Sequence, residues 1–222
     1  DLYFCYLSPA IGASGQYLVA TKAARNNDFD LASKNYLSLI KTGISETLIV
    51  QEALLFSVLA NDLESALKLS TIIEQQSVRF PTAGLISLVR LFNEKEVDQV
   101  QNLLSRYEEI LPRYLITLAQ GWTEIANGSL KKGIERFSSL DGTNRHLGSY
   151  NCAVAFAIAG DFQNALLYLE ELEDQNLKFD ELQLQALVQI YSNNNLNNKA
   201  VTLLEGRNKD QNFGTFNKVV LD

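Results

Sequence analysis

The stretch AGDFQNALLYLEEL, residues 159–172, puts an acidic residue at a turn and follows it at once with apolar residues at helical spacing. Ala165, Leu166, Leu169 and Leu172 recur at the intervals that line one face of an amphipathic helix, not at the alternation of a strand. Asp161, just before Phe162, suits a helix N-cap, because its carboxylate can accept backbone N–H groups that the first turn leaves unpaired. The same opening returns as NNDFDLASKNYLSL at residues 26–39 and as ANDLESALKLSTII at residues 60–73.

Extended over the whole chain, the pattern has a fixed period. An apolar residue directly after a polar turn stands at Phe29, Leu63, Val97, Leu130, Phe162 and Leu196, at successive intervals of 34, 34, 33, 32 and 34. Of the residues before them, Asp28, Asp62, Glu96, Ser129, Asp161 and Asn195, four or five suit a helix N-cap. Three places beyond the apolar residue stands Ala32, Ala66, Val100, Gly133 or Ala165, with Ala200 one place late in the last copy. Each turn is preceded by a second amphipathic run of about a dozen residues, such as TLIVQEALLFSVLA (47–60) and ELQLQALVQIYS (181–192). Each unit is therefore expected to be a helical hairpin. A lone hairpin cannot bury both its apolar faces, so neighbours must stack. With only 3 prolines and no Ser/Gly-rich linker, residues 14–206 are expected to form one array, with units near 14–46, 47–80, 81–113, 114–146, 147–180 and 181–206.

On these residues the chain resembles the tetratricopeptide repeat family. The family's first-helix pattern is approximated by Leu184, Leu187, Val188 and Tyr191, and more loosely by Leu118 and Gly121. Its small residue at the helix crossing is matched by Ala32, Ala66, Gly133, Ala165 and Ala200, and the large residue four places later by Tyr36, Phe137, Leu169 and Leu204. Val100 departs from the pattern, as does the missing proline at the repeat ends. The resemblance implies an all-α, right-handed α-solenoid of about six stacked helix-turn-helix repeats. The segments SGQYLVATKAARNNDFDLASKNY and YNCAVAFAIAGDFQNAL are similar to bacterial repeat proteins that carry a signal peptide before the first repeat, which implies export to the periplasm, with the cytoplasm as the alternative. Residues 1–13 are accordingly expected to be the end of a signal peptide or an N-terminal arm, and residues 207–222 the start of a further segment.

Composition narrows the function classes. At 222 residues and 46% hydrophobic the chain can bury a substantial core, and its 20% charged residues are ordinary for a folded protein. With a net charge of −7 and 19 scattered basic residues, a nucleic-acid partner is not expected, since phosphate binding needs clustered Lys and Arg. No transmembrane segment is expected, because no run approaches about 18 apolar residues. Cys5 and Cys152 are far apart and form no Cys-x-x-Cys or Cys/His cluster, so no metal site or disulfide framework is indicated. No cofactor is expected either, as no glycine-rich phosphate loop occurs.

No catalytic residue is expected, and the chain is read as a non-enzyme. The single His146 lies in a loop at a helix start, while Cys152 falls inside an apolar helix where a thiol behaves as a small hydrophobe. The pairs Glu108–Glu109 and Glu170–Glu171 read as solvated decoration of second helices. Function is then sought on the surface. Superimposing the units puts Tyr17 and Thr21, Gln51 and Leu55, Leu85 and Val89, Leu118 and Trp122, Tyr150 and Val154, and Gln185 and Gln189 on the first-helix face. Of these, Tyr17, Leu85, Val89, Leu118, Trp122, Tyr150 and Val154 form the candidate peptide-binding groove, with Trp122 foremost because Trp is enriched at binding hot spots. Arg25 and Asn93 are nearly alone as polar residues there, which disfavours a carboxylate clamp. The expected role is a scaffold or adaptor that binds a protein or peptide. The alternatives are a regulatory or targeting module of a larger envelope protein or enzyme, and a glycan or small-molecule receptor.

Overall fold

The computed structural model describes residues 9–76, 79–173 and 180–210. Among them the chain is all-helical, with no strand. Its helices in order are α1 (Pro9–Arg25), α2 (Phe29–Lys41), α3 (Thr47–Leu59), α4 (Leu63–Gln75), α5 (Pro81–Asn93), α6 (Val97–Tyr107), α7 (Arg113–Ala126), α8 (Leu130–Ser138), α9 (Arg145–Ile158), α10 (Phe162–Glu173), α11 (Glu181–Asn193) and α12 (Asn197–Asp210). They fall into two compact units, divided in sequence between Arg113 and Tyr114. Of the expected signal peptide or arm at 1–13, residues 1–8 lie outside the described residues, and 9–13 already belong to α1, where Pro9 suits a first helical position. Residues 207–210 continue α12, and the remainder of the expected C-terminal segment lies outside the described residues.

The hairpins share one turn. Asn27, Asn61, Lys95, Gly128, Gly160 and Asn195 are all left-handed, with φ of 58°, 57°, 59°, 84°, 79° and 60°. The next residue donates its N–H back across the turn in every case: Asp28 to Ala23, Asp62 to Ser57, Glu96 to Leu91, Ser129 to Glu124, Asp161 to Phe156 and Leu196 to Tyr191, at 2.8–2.9 Å. This is the Schellman closure of a helix C-terminus, which satisfies a carbonyl that the helix itself leaves open. The same residue stands at the N-cap of the following helix. Asp28, Asp62 and Asp161 complete that role, accepting the N–H of Leu31, Ser65 and Asn164, each at 3.1 Å.

The other three positions do not show a side-chain cap, so three stand where four or five were expected. Glu96 and Ser129 make no side-chain cap bond. The longer Glu side chain is outside the set that caps well. Asn195 is the left-handed residue and not the cap; Leu196 occupies the cap position, and α12 starts one residue later than expected. Counted from the turn, Ala200 is then in register with Ala32, Ala66, Val100, Gly133 and Ala165, each four residues beyond the cap position.

Within the first unit each helix packs on its sequence neighbours, and α3 also reaches α5. Ala32, Ala66 and Val100 are fully buried at the crossings. The hairpin that carries Val100 keeps its small residues on α5, where Ala83, Gly84 and Ser87 are buried and a methyl group on Gly84 would meet the Tyr107 ring at 2.7 Å. Tyr107 in turn ties α6 to α4: its hydroxyl donates to Glu74 at 2.5 Å, and Arg106 pairs with the same carboxylate at 2.6 Å. Burial first, and the acceptor Glu74 second, push the Tyr107 phenol well above its ordinary range.

In the second unit the α7–α8 crossing is closer still. A methyl group on Gly121 would strike the Phe137 ring, and one on Gly133 would strike Ile125 and lie 2.9 Å from the Gly121 carbonyl oxygen. Phe137, Cys152 and Ala155 form the core there, and Ala165, Leu169, Leu187, Ile190 and Tyr191 the core that follows. Asn194 links successive turns by donating to the carbonyl of Phe162 at 2.8 Å. One element breaks the pattern: α8 has only 9 residues, against 13 in α2, 13 in α4, 11 in α6 and 12 in α10. Ser138 and Ser139, weak helix formers, end it early, and a 3₁₀ turn at Gly142–Asn144 leads into α9.

Lys95 is the one left-handed turn residue of the six that is neither Asn nor Gly. Lys95→Gly is expected to stabilise the protein by about 0.5–1 kcal/mol, read as a raised urea midpoint at unchanged slope. Asn61→Val, which puts a β-branched residue at the equivalent position, is expected to lower it by more. A second expectation concerns acid. The Ser65 hydroxyl and N–H hold the Asp62 carboxylate below its ordinary pKa. Its contribution is therefore present at neutral pH and lost as pH falls below about 4. Asp62→Asn should flatten that part of the stability profile measured between neutral and acid pH.

Candidate functional site

The twelve positions that the sequence places on the first-helix face behave as one class: none is fully buried. Tyr17, Val89, Gln185 and Gln189 are exposed, and Thr21, Gln51, Leu55, Leu85, Leu118, Trp122, Tyr150 and Val154 are half-buried. Their neighbours on the inner face, among them Ala20, Ala53, Ala119 and Ala153, are buried.

In the first unit, Tyr17 is 39% exposed and stands edge-on to Tyr36, at 6.2 Å between ring centres. Tyr36 stacks on Phe56 at 5.6 Å, and Phe56 on Phe29 at 6.2 Å. This series runs from an accessible ring on α1 into the core between α2 and α3. Burial is the main cause that raises the Tyr36 phenol, with Glu52 and Tyr17 adding to it and the Thr21 hydroxyl opposing. Leu85 and Val89 lie on α5, Val89 being 46% exposed.

In the second unit, Leu118 and Trp122 of α7 and Tyr150 and Val154 of α9 form the remaining part. Trp122 is held on both sides. Its ring meets Phe137 at 5.3 Å, and its indole N–H donates to the side-chain oxygen of Asn151 at 2.8 Å. Asn151 is oriented by donating its own amide to the Leu147 carbonyl at 2.8 Å. Trp122 thus bridges α7 to α9 while keeping part of its ring accessible. Tyr150 packs against the Ala165–Leu169 core, and burial, then Asp180, raise its phenol. The sequence pattern does not point to Asn151 beyond its position one residue after Tyr150 on the same helix.

The remaining candidates stand as follows. Cys152 is fully buried, contacts the Ser138 hydroxyl at 3.6 Å, and has its thiol raised mainly by burial, so it is not an activated nucleophile. His146 is half-buried in the first turn of α9. Glu170 and Glu171 are exposed on α10, but Glu171 accepts the Ser149 hydroxyl at 2.9 Å. Glu108 and Glu109 lie beyond the end of α6 and not on it, a correction to the sequence reading, because α6 closes at Tyr107. Arg25 and Asn93 are exposed at the ends of α1 and α5. Among the described residues, no group of three or more His, Cys, Asp or Glu could hold a metal ion, and no helix is long and apolar enough to cross a membrane.

A cavity of about 360 Å³ lies between the end of α8, the start of α9 and the flank of α10. Leu140, Asp141, Arg145, Tyr168 and Glu171 line it, and Phe137, which also borders it, is fully buried. Compared with known proteins, the chain matches no family model and no curated protein. What the residues define directly is an all-helical, repeat-like protein.

The double anchoring of Trp122 makes its two contributions separable. Trp122→Phe keeps an aromatic ring against Phe137 but removes the bond to Asn151, and is expected to cost about 1 kcal/mol of stability. Trp122→Ala removes both and is expected to cost about 3 kcal/mol. Equilibrium urea unfolding of the three proteins checks the order.

Proposed function

We infer that the chain is a tetratricopeptide-like α-solenoid of six helical hairpins that works without catalysis, as a scaffold or adaptor binding a polypeptide segment on its first-helix face. The observation that carries this reading is the sixfold recurrence of one turn, with a buried residue, small in five of the six copies, four places beyond the cap position. Such a repeat displays the same helix face again and again, which suits an extended or helical partner and not a single reaction centre. The chemistry of that face agrees. Leu118, Trp122, Tyr150 and Val154 are apolar or aromatic and half-buried, the composition that makes interface hot spots. A thiol as deeply buried as that of Cys152 fits a structural role.

The test is selection from a displayed peptide library on the immobilised protein, followed by titration of the enriched peptides using the fluorescence of the single Trp. Peptides with apolar anchors are expected to be enriched. Val154→Asp, on a half-buried position away from the Trp122 anchor, should weaken them at least about tenfold, or about 1.4 kcal/mol. Failure to enrich any sequence, or unchanged affinity in Val154→Asp with the fold intact by circular dichroism, would overturn the reading.

A further inference from the structure

Three of the six turns carry an asparagine directly before the left-handed residue: Asn26, Asn127 and Asn194. Their surroundings differ. The Asn194 amide is held, donating to the carbonyls of Phe162 and Ile190 at 2.8 and 2.9 Å. Asn26 is exposed, but the next residue is Asn27, whose side chain hinders the peptide nitrogen between them. Asn127 is exposed, its side chain makes no hydrogen bond among the described residues, and it is followed by Gly128, which is exposed and left-handed at φ 84°. This is the one Asn-Gly pair in the chain. A Cβ placed on Gly128 would meet nothing within 4 Å, so the space around this peptide is open. The turn also lacks a bond that its counterparts have: Ser129 makes no side-chain cap, whereas Asp28, Asp62 and Asp161 each make one.

We propose that Asn127 is a site of spontaneous covalent modification, at which the side-chain amide is lost by cyclisation onto the Gly128 nitrogen. In this step the Gly128 peptide nitrogen gives up its proton and attacks Cγ of Asn127. The Cγ–Nδ2 bond breaks and ammonia leaves, which closes a succinimide ring. Water then adds to one of the two ring carbonyls and reopens it, giving aspartate or, where the backbone now runs through Cγ, isoaspartate. Glycine favours the attack because no side chain shields its nitrogen and its backbone rotates freely. In the closed turn the Gly128 N–H donates to the Ile125 carbonyl at 2.9 Å, so the reaction proceeds from the opened turn, and the missing cap at Ser129 makes that opening easier. Isoaspartate lengthens the chain between Asn127 and the two donors that close α7, Gly128 to Ile125 and Ser129 to Glu124. Either product also sets a carboxylate at the C-terminal end of α7, where the helix dipole opposes it. The modification thus loosens the turn on which the tight crossing at Gly121 and Gly133 depends.

The experiment is timed incubation of the full chain in mildly alkaline buffer, followed by peptide mass mapping and enzymatic methyl labelling of isoaspartate. Asn127 is expected to lose its amide at least about tenfold faster than Asn26, Asn27 and Asn61, and faster still as pH rises, because the attacking nitrogen must be deprotonated. Gly128→Asn, which the left-handed position accepts as it does at Asn27 and Asn61, should slow the loss by a similar factor and leave the circular dichroism spectrum unaltered. The Ser129 amide should exchange its hydrogen faster in the modified protein than in the fresh one. Equal rates at the four asparagines, an intact Asn127 after the others have reacted, or an unchanged rate in Gly128→Asn overturns the site. Unchanged protection of Ser129 in fully modified protein overturns its effect on the turn.

Discussion

One residue in each hairpin serves two helices. The N–H of Asp28, Asp62, Glu96, Ser129, Asp161 or Leu196 closes the helix behind it, and the same residue stands at the cap of the helix ahead. A link this short leaves the second helix no choice but to turn back along the first, and the closeness of that return fixes what can stand at the crossing. Ala32, Ala66 and Ala165 fit without further adjustment. At α7–α8 the approach is so near that both Gly121 and Gly133 are required, since a methyl group on either would collide with a neighbouring side chain. Where Val100 is larger, the facing α5 supplies Ala83, Gly84 and Ser87. The left-handed residue before each cap makes the turn possible, and this is why Asn and Gly hold five of the six positions.

Because the turn is local, most of it is legible in the sequence. Phe29, Leu63, Val97, Leu130 and Phe162 are the first residues of α2, α4, α6, α8 and α10, as expected. The sixth start lies one residue later than the spacing predicts, for a physical reason: in the run Asn193-Asn194-Asn195, asparagine both caps helices and tolerates left-handed backbone, so residue type alone does not say which role Asn195 takes. The backbone resolves it, and the displaced Ala200 falls into register. The early end of α8 was less legible. Ser138-Ser139 followed by Asp141-Gly142 marks a break, but how long the helix runs depends on α9 pressing on it, with no room for a methyl group at Gly148 against the Phe137 carbonyl.

The site divides along the same line. The period places twelve residues on one face of the first helices, and all twelve are at least partly accessible, as are others on those helices such as Leu18 and Leu182. What those residues do depends on contacts between helices that are distant in sequence. Nothing at Trp122 announces that its N–H belongs to Asn151, 29 residues away. The cavity beside Arg145 is likewise not legible, because its lining comes from three helices and forms no motif. Repetition sets a common frame, and the departures from it are where individual chemistry enters.

The measurement closest to the centre of this account is amide hydrogen exchange, followed by NMR, at residues 28, 62, 96, 129, 161 and 196. These N–H groups lie in turns, where exchange is ordinarily fast. If each closes a helix as described, all six should exchange slowly, with rates that track the helix interiors beside them, and Leu196 should be protected like the others. Fast exchange at these positions, with protection confined to the helices on either side, would contradict the shared turn and the repeat built on it.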